Sequence, residues 1–264
     1  MNQLISVIIP AHNNATTLEE AVNSIINQTY KNLEILIIND NSTDNTEAIA
    51  KSLEKRDERI KYFKLEKNDT ERVDNLLNRN INAGYSARNF GFTKSSGELI
   101  TFQDGDDASL LNRIEIQYDL LLKNNATHIT TDWIPFSEEL LNTCGDIKTT
   151  TPLLNPNQIY EISQHNKGII AKISPTINSL VPFKYKRLRV INKLFFGGLD
   201  PYPGAGNSPL FKKEVIKKVQ FRNLKNRIWP SFMGRGADRD FNFQVAETFK
   251  NSYFFSIPLY LWRK

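Results

Sequence analysis

The 264-residue sequence carries 34 Lys and Arg against 29 Asp and Glu, a net charge of +5, with 40% hydrophobic and 24% charged residues, which excludes a disordered chain. A single cysteine, Cys144, excludes a disulfide framework and suits a reducing compartment. Pro10 stops the only early apolar run, and the late stretch Ser252 to Trp262 contains Pro258; the chain therefore reads as having neither a secretory signal nor the ~18 apolar residues of a spanning helix.

The length suits one large α/β domain, and the first hundred residues alternate strand and helix signals. Leu4-Ile5-Ser6-Val7-Ile8-Ile9 is almost wholly apolar, as a strand buried on both faces is. Thr16 and Thr17 stand three residues before Glu19 and Glu20, a repeated capping-box pattern, and Leu18, Val22, Ile25 and Ile26 follow at helical spacing. Leu33 to Ile38 predicts a second buried strand, Asp44 a helix cap with Glu47 three residues on, and Ile60 to Leu65 a third strand. Residues 66–82 form a long polar connection and read as an exposed insertion. A helix through Ser86–Ser95 ends at Gly97, and Glu98 to Gln103 predicts a fourth strand. Such alternation predicts a mostly parallel sheet with helices on both faces.

Beyond residue 107 the pattern is less regular. Leu110 to Leu122 predicts an amphipathic helix, His128 to Trp133 a strand, Glu214 to Val219 and Asp238 to Phe249 helices, and Ser252 to Trp262 a closing strand. Phe183 to Phe196 mixes apolar and basic residues, as a helix lying on a surface does. Residues 134–182 are rich in Pro, Thr, Asn and Ser and carry no assignable pattern.

Charge is unevenly distributed. Residues 1–107 carry a net −5 and residues 108–264 a net +10, and the block 183–227 alone holds 12 basic and 2 acidic residues. That block could face phosphate, an anionic membrane or an acidic polymer, or be a solvated Lys-rich face.

Open α/β sheets bind ligands at the carboxyl ends of their strands. The segments there are Pro10-Ala11-His12-Asn13, Asp40-Asn41-Ser42-Thr43-Asp44 and Asp104-Gly105-Asp106-Asp107. Three carboxylates in four residues repel one another unless compensated. A Mg²⁺ or Mn²⁺ ion, completed by substrate phosphates and water, would do so and would neutralise a diphosphate leaving group. The alternative is an acidic turn capping a helix near Ser109.

The chain resembles a family-2 inverting glycosyltransferase of the GT-A fold, which uses nucleotide-sugar donors. The resemblance is carried by Ser6-Val7-Ile8-Ile9-Pro10-Ala11-His12-Asn13, Asn39-Asp40-Asn41-Ser42-Thr43-Asp44, Asn82-Ala83-Gly84 through Ala87-Arg88-Asn89-Phe90-Gly91, Ser96-Gly97-Glu98-Leu99-Ile100 and Asp104-Gly105-Asp106-Asp107. Weaker matches follow at Gly206-Asn207-Ser208-Pro209-Leu210-Phe211, Gly236-Ala237-Asp238 and Tyr260-Leu261-Trp262-Arg263.

The resemblance implies a Rossmann-like, mostly parallel sheet flanked by helices, with a less regular acceptor-side C-terminal half. Residues 1–107 would take the nucleotide-sugar and residues 108–264 the acceptor, within one GT-A domain. Pro10, Ala11 and His12 would line the nucleotide pocket, and Asp40 would accept a hydrogen bond from the base, favouring uracil; its alternative is a turn-capping role. Arg88 would approach the donor, Asp104 would hold the ribose hydroxyls and Asp106 the metal, with Asp107 as their neighbour. Asp238 would be the base that deprotonates the acceptor hydroxyl as it attacks opposite the leaving diphosphate; Asp240 is a fallback. Ala237 stands where the family usually has Glu. Arg263 could meet the diphosphate, and Trp229 is a candidate for stacking on the acceptor.

The implied function is metal-dependent, hexosyltransferase-like transfer from a UDP-sugar to a hydroxyl of a glycan or glycolipid in bacterial-type surface polysaccharide synthesis. Mn²⁺ or Mg²⁺ is the expected cofactor. The expected location is the cytoplasm, with a peripheral membrane contact through 183–227 and no nucleic-acid partner. One competing reading is a nucleotide-sugar-binding protein that has lost catalysis through Ala237. A second is a sugar-1-phosphate nucleotidyltransferase, although His12-Asn13-Asn14-Ala15 replaces the Gly- and Arg-rich loop of such enzymes. No HExxH, phosphate loop or dinucleotide fingerprint is present.

Overall fold

The computed structural model describes residues 3–66, 73–74, 79–80, 84–147, 149–186, 188–198, 200–229 and 236–263. The first half runs β1 (Ile5–Ala11), α1 (Leu18–Ile26), β2 (Leu33–Asn39), α2 (Thr46–Arg56), β3 (Ile60–Lys64), the short pair β4 (Val73–Asp74) and β5 (Arg79–Asn80), α3 (Tyr85–Lys94) and β6 (Leu99–Phe102). It continues with β7 (Ala108–Ser109), α4 (Arg113–Lys123), β8 (His128–Pro135), α5 (Pro156–His165), α6 (Ile169–Ile173), α7 (Pro175–Leu180), α8 (Phe183–Lys186), α9 (Arg189–Phe196), β9 (Leu210–Lys212), α10 (Ala237–Phe249) and β10 (Ser252–Trp262). The insertion expected at 66–82 lies outside the described residues except for Glu66, β4 and β5, which pair antiparallel.

The main sheet has the order β3-β2-β1-β6-β9-β8-β10-β7. β1, β2, β3 and β6 form its parallel part, and β8 pairs parallel with β10; β9 and β7 join antiparallel. The fold expectation holds. The apolar strands β1 and β2 are buried between two helical layers because neither face carries enough polar side chains to meet water. One face packs with α1 and α4 around Val7, Ile9, Ile35 and Ile37. The other packs Ile8, Leu36 and Phe102 against α3 and α10. Gly91 permits that approach: a Cβ there would stand 2.6 Å from Ile8 Cγ2.

One charge inside this frame is fully bonded. Burial would raise the pKa of Glu34, but bonds from the Ser6 hydroxyl, the Ser96 hydroxyl and amide and the Gly97 amide outweigh it and hold the carboxyl at about 2.

Several expectations are corrected. α1 has no side-chain capping bond at Thr17, because that hydroxyl donates to the Gly105 carbonyl at 2.8 Å. α2 starts after Asn45, while Asp44 accepts from the Thr46 and Ala15 amides, each at 3.0 Å. The helix expected over 183–196 divides into α8 and α9, and Lys186 turns inward to the carbonyls of Asn178 and Lys225. The helical segment expected over Glu214 to Val219 is a 3-10 helix over Lys213–Lys217. The basic block is not one face, since Lys186 and Arg227 are buried and Arg222 pairs with Asp240.

His128 in β8 is fully buried, with Nε2 2.9 Å from Asn242 Oδ1. Burial lowers its pKa to about 4 against the raising effect of that bond. The folded state therefore keeps the ring neutral while an unfolded chain protonates it below pH ~6.5. Stability is expected to fall as pH drops from about 6.5 towards 4, by about 3 kcal/mol from this group. Denaturant midpoints across that range should show the fall, and His128→Gln should flatten it.

Candidate active site

The loops that follow β1, β2 and β6 meet at the carboxyl edge of the sheet. Asn13 Oδ1 accepts from Thr43 N at 2.8 Å, and the Asp40 amide donates to the Ala11 carbonyl at 2.8 Å. The His12 ring bonds through Nδ1 to the Asp40 carbonyl, also at 2.8 Å; because a carbonyl only accepts, Nδ1 carries the proton. Gly105 lies against the same corner, where a Cβ would stand 3.1 Å from the Pro10 oxygen. Gly84, with φ +68°, begins α3 beside Pro10, 3.0 Å from its Cβ to where a glycine Cβ would be. Pro10, Ala11, His12 and Asp40 thus sit together at the strand ends, with Ala11 and Asp40 buried.

The three carboxylates of the acidic loop differ in environment. Asp104 pairs with the buried Arg88 guanidinium and accepts from Asn207 Nδ2 at 2.9 Å. Arg88 lies 5.5 Å from both the Phe102 and Phe221 ring centroids, so the guanidinium is held between two aromatic faces. Asp107 is buried and accepts from the Tyr260 hydroxyl at 2.9 Å and the Arg263 amide at 2.7 Å. Burial, reinforced by the Asp104 charge, pushes Asp107 up to about 7 against those two bonds. The Tyr260 hydroxyl also accepts from the Asp104 amide at 3.2 Å and so ties the loop at two points.

Asp106 is exposed, and its carboxylate has no ion pair among the described residues. Desolvation by the packed loop and the charge of Asp104 raise its pKa. Carboxylate oxygens of Asp104, Asp106 and Asp107 lie within 4.8 Å of one another. An all-oxygen donor set with one unneutralised carboxylate fits a hard divalent cation, which Asp106 and Asp104 would hold while Asp107 anchors the loop from below. The alternative of a helix-capping turn does not apply: Ala108 and Ser109 form β7, paired with β10.

Asp238 arrives from the opposite side. Gly236, at φ +89°, starts α10 and places Asp238 in its first turn. Asp238, Asp104 and Arg88 line one cleft of about 410 Å³ with Gly206, Asn207 and Tyr260. A Cβ at Gly206 would stand 3.3 Å from Asp238 Oδ2, so glycine keeps room beside the carboxylate. No hydrogen bond reaches the Asp238 carboxylate among the described residues.

Asp240 is excluded as the fallback base. Two positions along α10 it points into the core, accepting from Arg222, Gln244 and the amides of Ile228 and Trp229. Trp229 is likewise corrected from stacking platform to core residue, fully buried with Nε1 donating to the Ser163 carbonyl at 2.9 Å. Arg263 reaches neither cleft nor solvent freely; it pairs with Glu20 and donates to the Asp106 carbonyl at 3.0 Å. Ala237 is buried in the apolar cluster with Phe241 and Phe92.

Sequence reasoning assigned no role to Asn207 or Tyr260, although both lie in stretches already noted. From the sequence Trp133 and Trp262 read as core residues; instead they are 41% and 40% exposed, stand 5.1 Å apart and line the cleft. Exposure alternates along β8 after Thr131, which turns Trp133 outward.

A sequence model described as glycosyl transferase family 2 matches residues 6–187. The GalNAc(5)-diNAcBac-PP-undecaprenol beta-1,3-glucosyltransferase of Campylobacter jejuni is 41% identical over 107 residues, 40% of this chain and 30% of its own. The UDP-Glc:alpha-D-GlcNAc-diphosphoundecaprenol beta-1,3-glucosyltransferase WfgD of Escherichia coli is 36% identical over 122 residues, 46% of this chain and 42% of its own. The chain thus spans less than half the length of these curated relatives. The structure of S. aureus TarS in complex with UDP-GlcNAc is similar with a TM-score of 0.59 at 16% identity, covering 98% of this chain and 58% of that one. That likeness shows the fold, which is of the GT-A type.

Proposed function

Because the chain belongs to glycosyl transferase family 2, we propose that it is a metal-dependent inverting enzyme that moves a sugar from a UDP-sugar to a hydroxyl of a lipid-linked glycan. The observation that carries this reading is the cleft in which Asp238 faces Asp104 and Arg88 with an unbonded carboxylate. The two relatives named above as acting on undecaprenol-linked substrates support the acceptor class, and the UDP-Glc in one of those names supports the donor.

Residues 1–107 bind the donor in this reading and residues 108–264 the acceptor. Asp40, at the end of β2, accepts from the uracil ring N–H, with Pro10, Ala11 and His12 forming the wall beside it. Asp104, oriented by Arg88 and Asn207, accepts from the ribose hydroxyls. Asp106 and Asp104 would hold a Mg²⁺ or Mn²⁺ ion, which when bound would neutralise charge on the departing diphosphate. Asp238 accepts the acceptor hydroxyl proton at its carboxylate as that oxygen attacks the anomeric carbon, and the direction of attack inverts the configuration. Trp133 and Trp262 give the acceptor sugar an aromatic edge to lie on. The site would work at the cytoplasmic side of a membrane, where such lipid-linked glycans are built. Among the described residues no helix is long and apolar enough to cross one.

A second reading, donor binding without catalysis, is favoured by Ala237, whose small side chain is buried where the family usually has Glu. A thermal-shift panel of UDP, GDP and CMP with and without Mn²⁺, paired with a donor-hydrolysis assay, separates these readings. UDP with Mn²⁺ at a hundred times its Kd is expected to raise Tm by about 5 °C. Preference for GDP would overturn the uridine assignment. UDP binding with neither transfer nor hydrolysis would select the second reading.

A further inference from the structure

Eight of the thirteen exposed large hydrophobic residues among the described ones fall between Ile169 and Leu194. Scattered exposed Leu and Ile are ordinary, but such a concentration marks an interaction surface. Three helices carry it as pairs on their outer faces: Ile169 and Ile173 on α6, Ile177 and Leu180 on α7, Val190 and Leu194 on α9. Val190 is 87% exposed, Ile173 75% and Leu180 73%. α6 packs against both α7 and α9. Gly168 brings the start of α6 onto the end of α9, where a Cβ would stand 2.6 Å from the Leu194 carbonyl. The inner sides of these helices are separately filled by Ala171, Phe195 and Phe196. The outward aliphatic residues are therefore not a misplaced core.

The charge around this face has one sign. Residues 162–199 contain seven Lys and Arg and no Asp or Glu. Lys172, Lys184 and Lys193 are exposed beside the aliphatic residues, whereas Lys167 pairs with Glu247 and Lys186 is buried. We infer that this helical face docks on an anionic lipid bilayer, with the aliphatic side chains entering the headgroup boundary and the lysines meeting lipid phosphates. An apolar helix face flanked by cations is the chemistry of in-plane membrane binding. A second copy of the chain is a poorer occupant, since a twofold contact through this face sets like charges against each other.

The surface connects to the cleft. α9 ends at Phe196, and the loop that follows lines the cleft from Gly204 to Asn207. Arg239, next to Asp238, donates to the carbonyls of Gly198 at 3.1 Å and Asp200 at 2.7 Å, which fixes that loop to the helix bearing Asp238. Docking through α6–α9 holds the cleft at the lipid surface. The inference deepens the lipid-linked acceptor reading, and vesicles free of acceptor test it separately.

The test is co-sedimentation of the whole chain with phosphatidylcholine vesicles, with and without phosphatidylglycerol, and without nucleotide. Binding is expected only with phosphatidylglycerol and is expected to weaken as salt is raised. Ile173→Ser/Leu180→Ser/Val190→Ser and, separately, Lys172→Glu/Lys193→Glu should each lower partitioning by about tenfold or more, with an unchanged Tm. Wild-type protein that stays in the supernatant, or a triple serine variant that binds equally, overturns the inference. A wild-type dimer that the triple variant converts to monomer overturns it in favour of self-association. Transfer to a water-soluble acceptor, measured alongside, reports on the catalytic reading alone.

Discussion

Asp238→Asn is expected to lower kcat by about 10²–10⁴-fold, the usual contribution of a positioned general base. It should leave the Tm and the UDP-induced thermal shift unchanged. The amide keeps the shape of the side chain but cannot take the hydroxyl proton. No described residue hydrogen-bonds to the Asp238 carboxylate, so folding should lose little when its charge is removed. Because donor binding is assigned to the β1, β2 and β6 edge, the effect should fall on kcat rather than on the KM for the UDP-sugar. A variant that retains more than about a tenth of wild-type kcat would remove Asp238 from the role of base.

Asp240→Ala should produce the reverse pattern, a large loss of stability. The carboxylate is fully buried and collects five bonds: two from Arg222 and one each from Gln244, Ile228 N and Trp229 N. Removing it strands two backbone amides and a partly buried guanidinium, at a cost of about 3 kcal/mol. Tm should fall by about 6 °C. Asp240→Asn keeps one acceptor oxygen and should fall between the two. An unchanged Tm in Asp240→Ala would show that the 222–229 segment is held by something else. Two carboxylates two positions apart on α10 thus have opposite surroundings, one in the cleft lining and one bonded inside the core.

That contrast also marks where sequence reading succeeds. β1, β2 and β6 announce themselves because strands buried on both faces must be apolar throughout, and the polar loops after them then fall on the ligand-binding edge. Arg88, Asp104 and Asp238 come from separate stretches and line one cleft. Periodicity could not tell Asp238 from Asp240, because their difference lies in what packs around them. Asn207 and Tyr260 escaped assignment for a related reason: their partners Asp104 and Asp107 are 100 to 156 residues away. The 134–182 region resisted because its helices are short, and because α6 and α7 turn aliphatic residues outward, so that apolar positions there do not mark the buried face. The basic block misled through its count, since burial and pairing withdraw Lys186, Arg222 and Arg227 from the surface.

The Tyr260 hydroxyl and the Arg263 amide are the bonds that keep Asp107 ionisable inside the protein. They come from β10 and the residue after it, 153 and 156 positions further along the chain than Asp107. Until β10 docks, Asp107 has neither partner, and a carboxylate without partners favours staying in water over entering the sheet. The acidic loop therefore reaches its bonded form only when that long stretch of chain closes on itself, a slow step because distant contacts cost loop entropy before they repay it. The parallel β1–β2–β6 sheet can form before the acidic loop beside it takes its final shape.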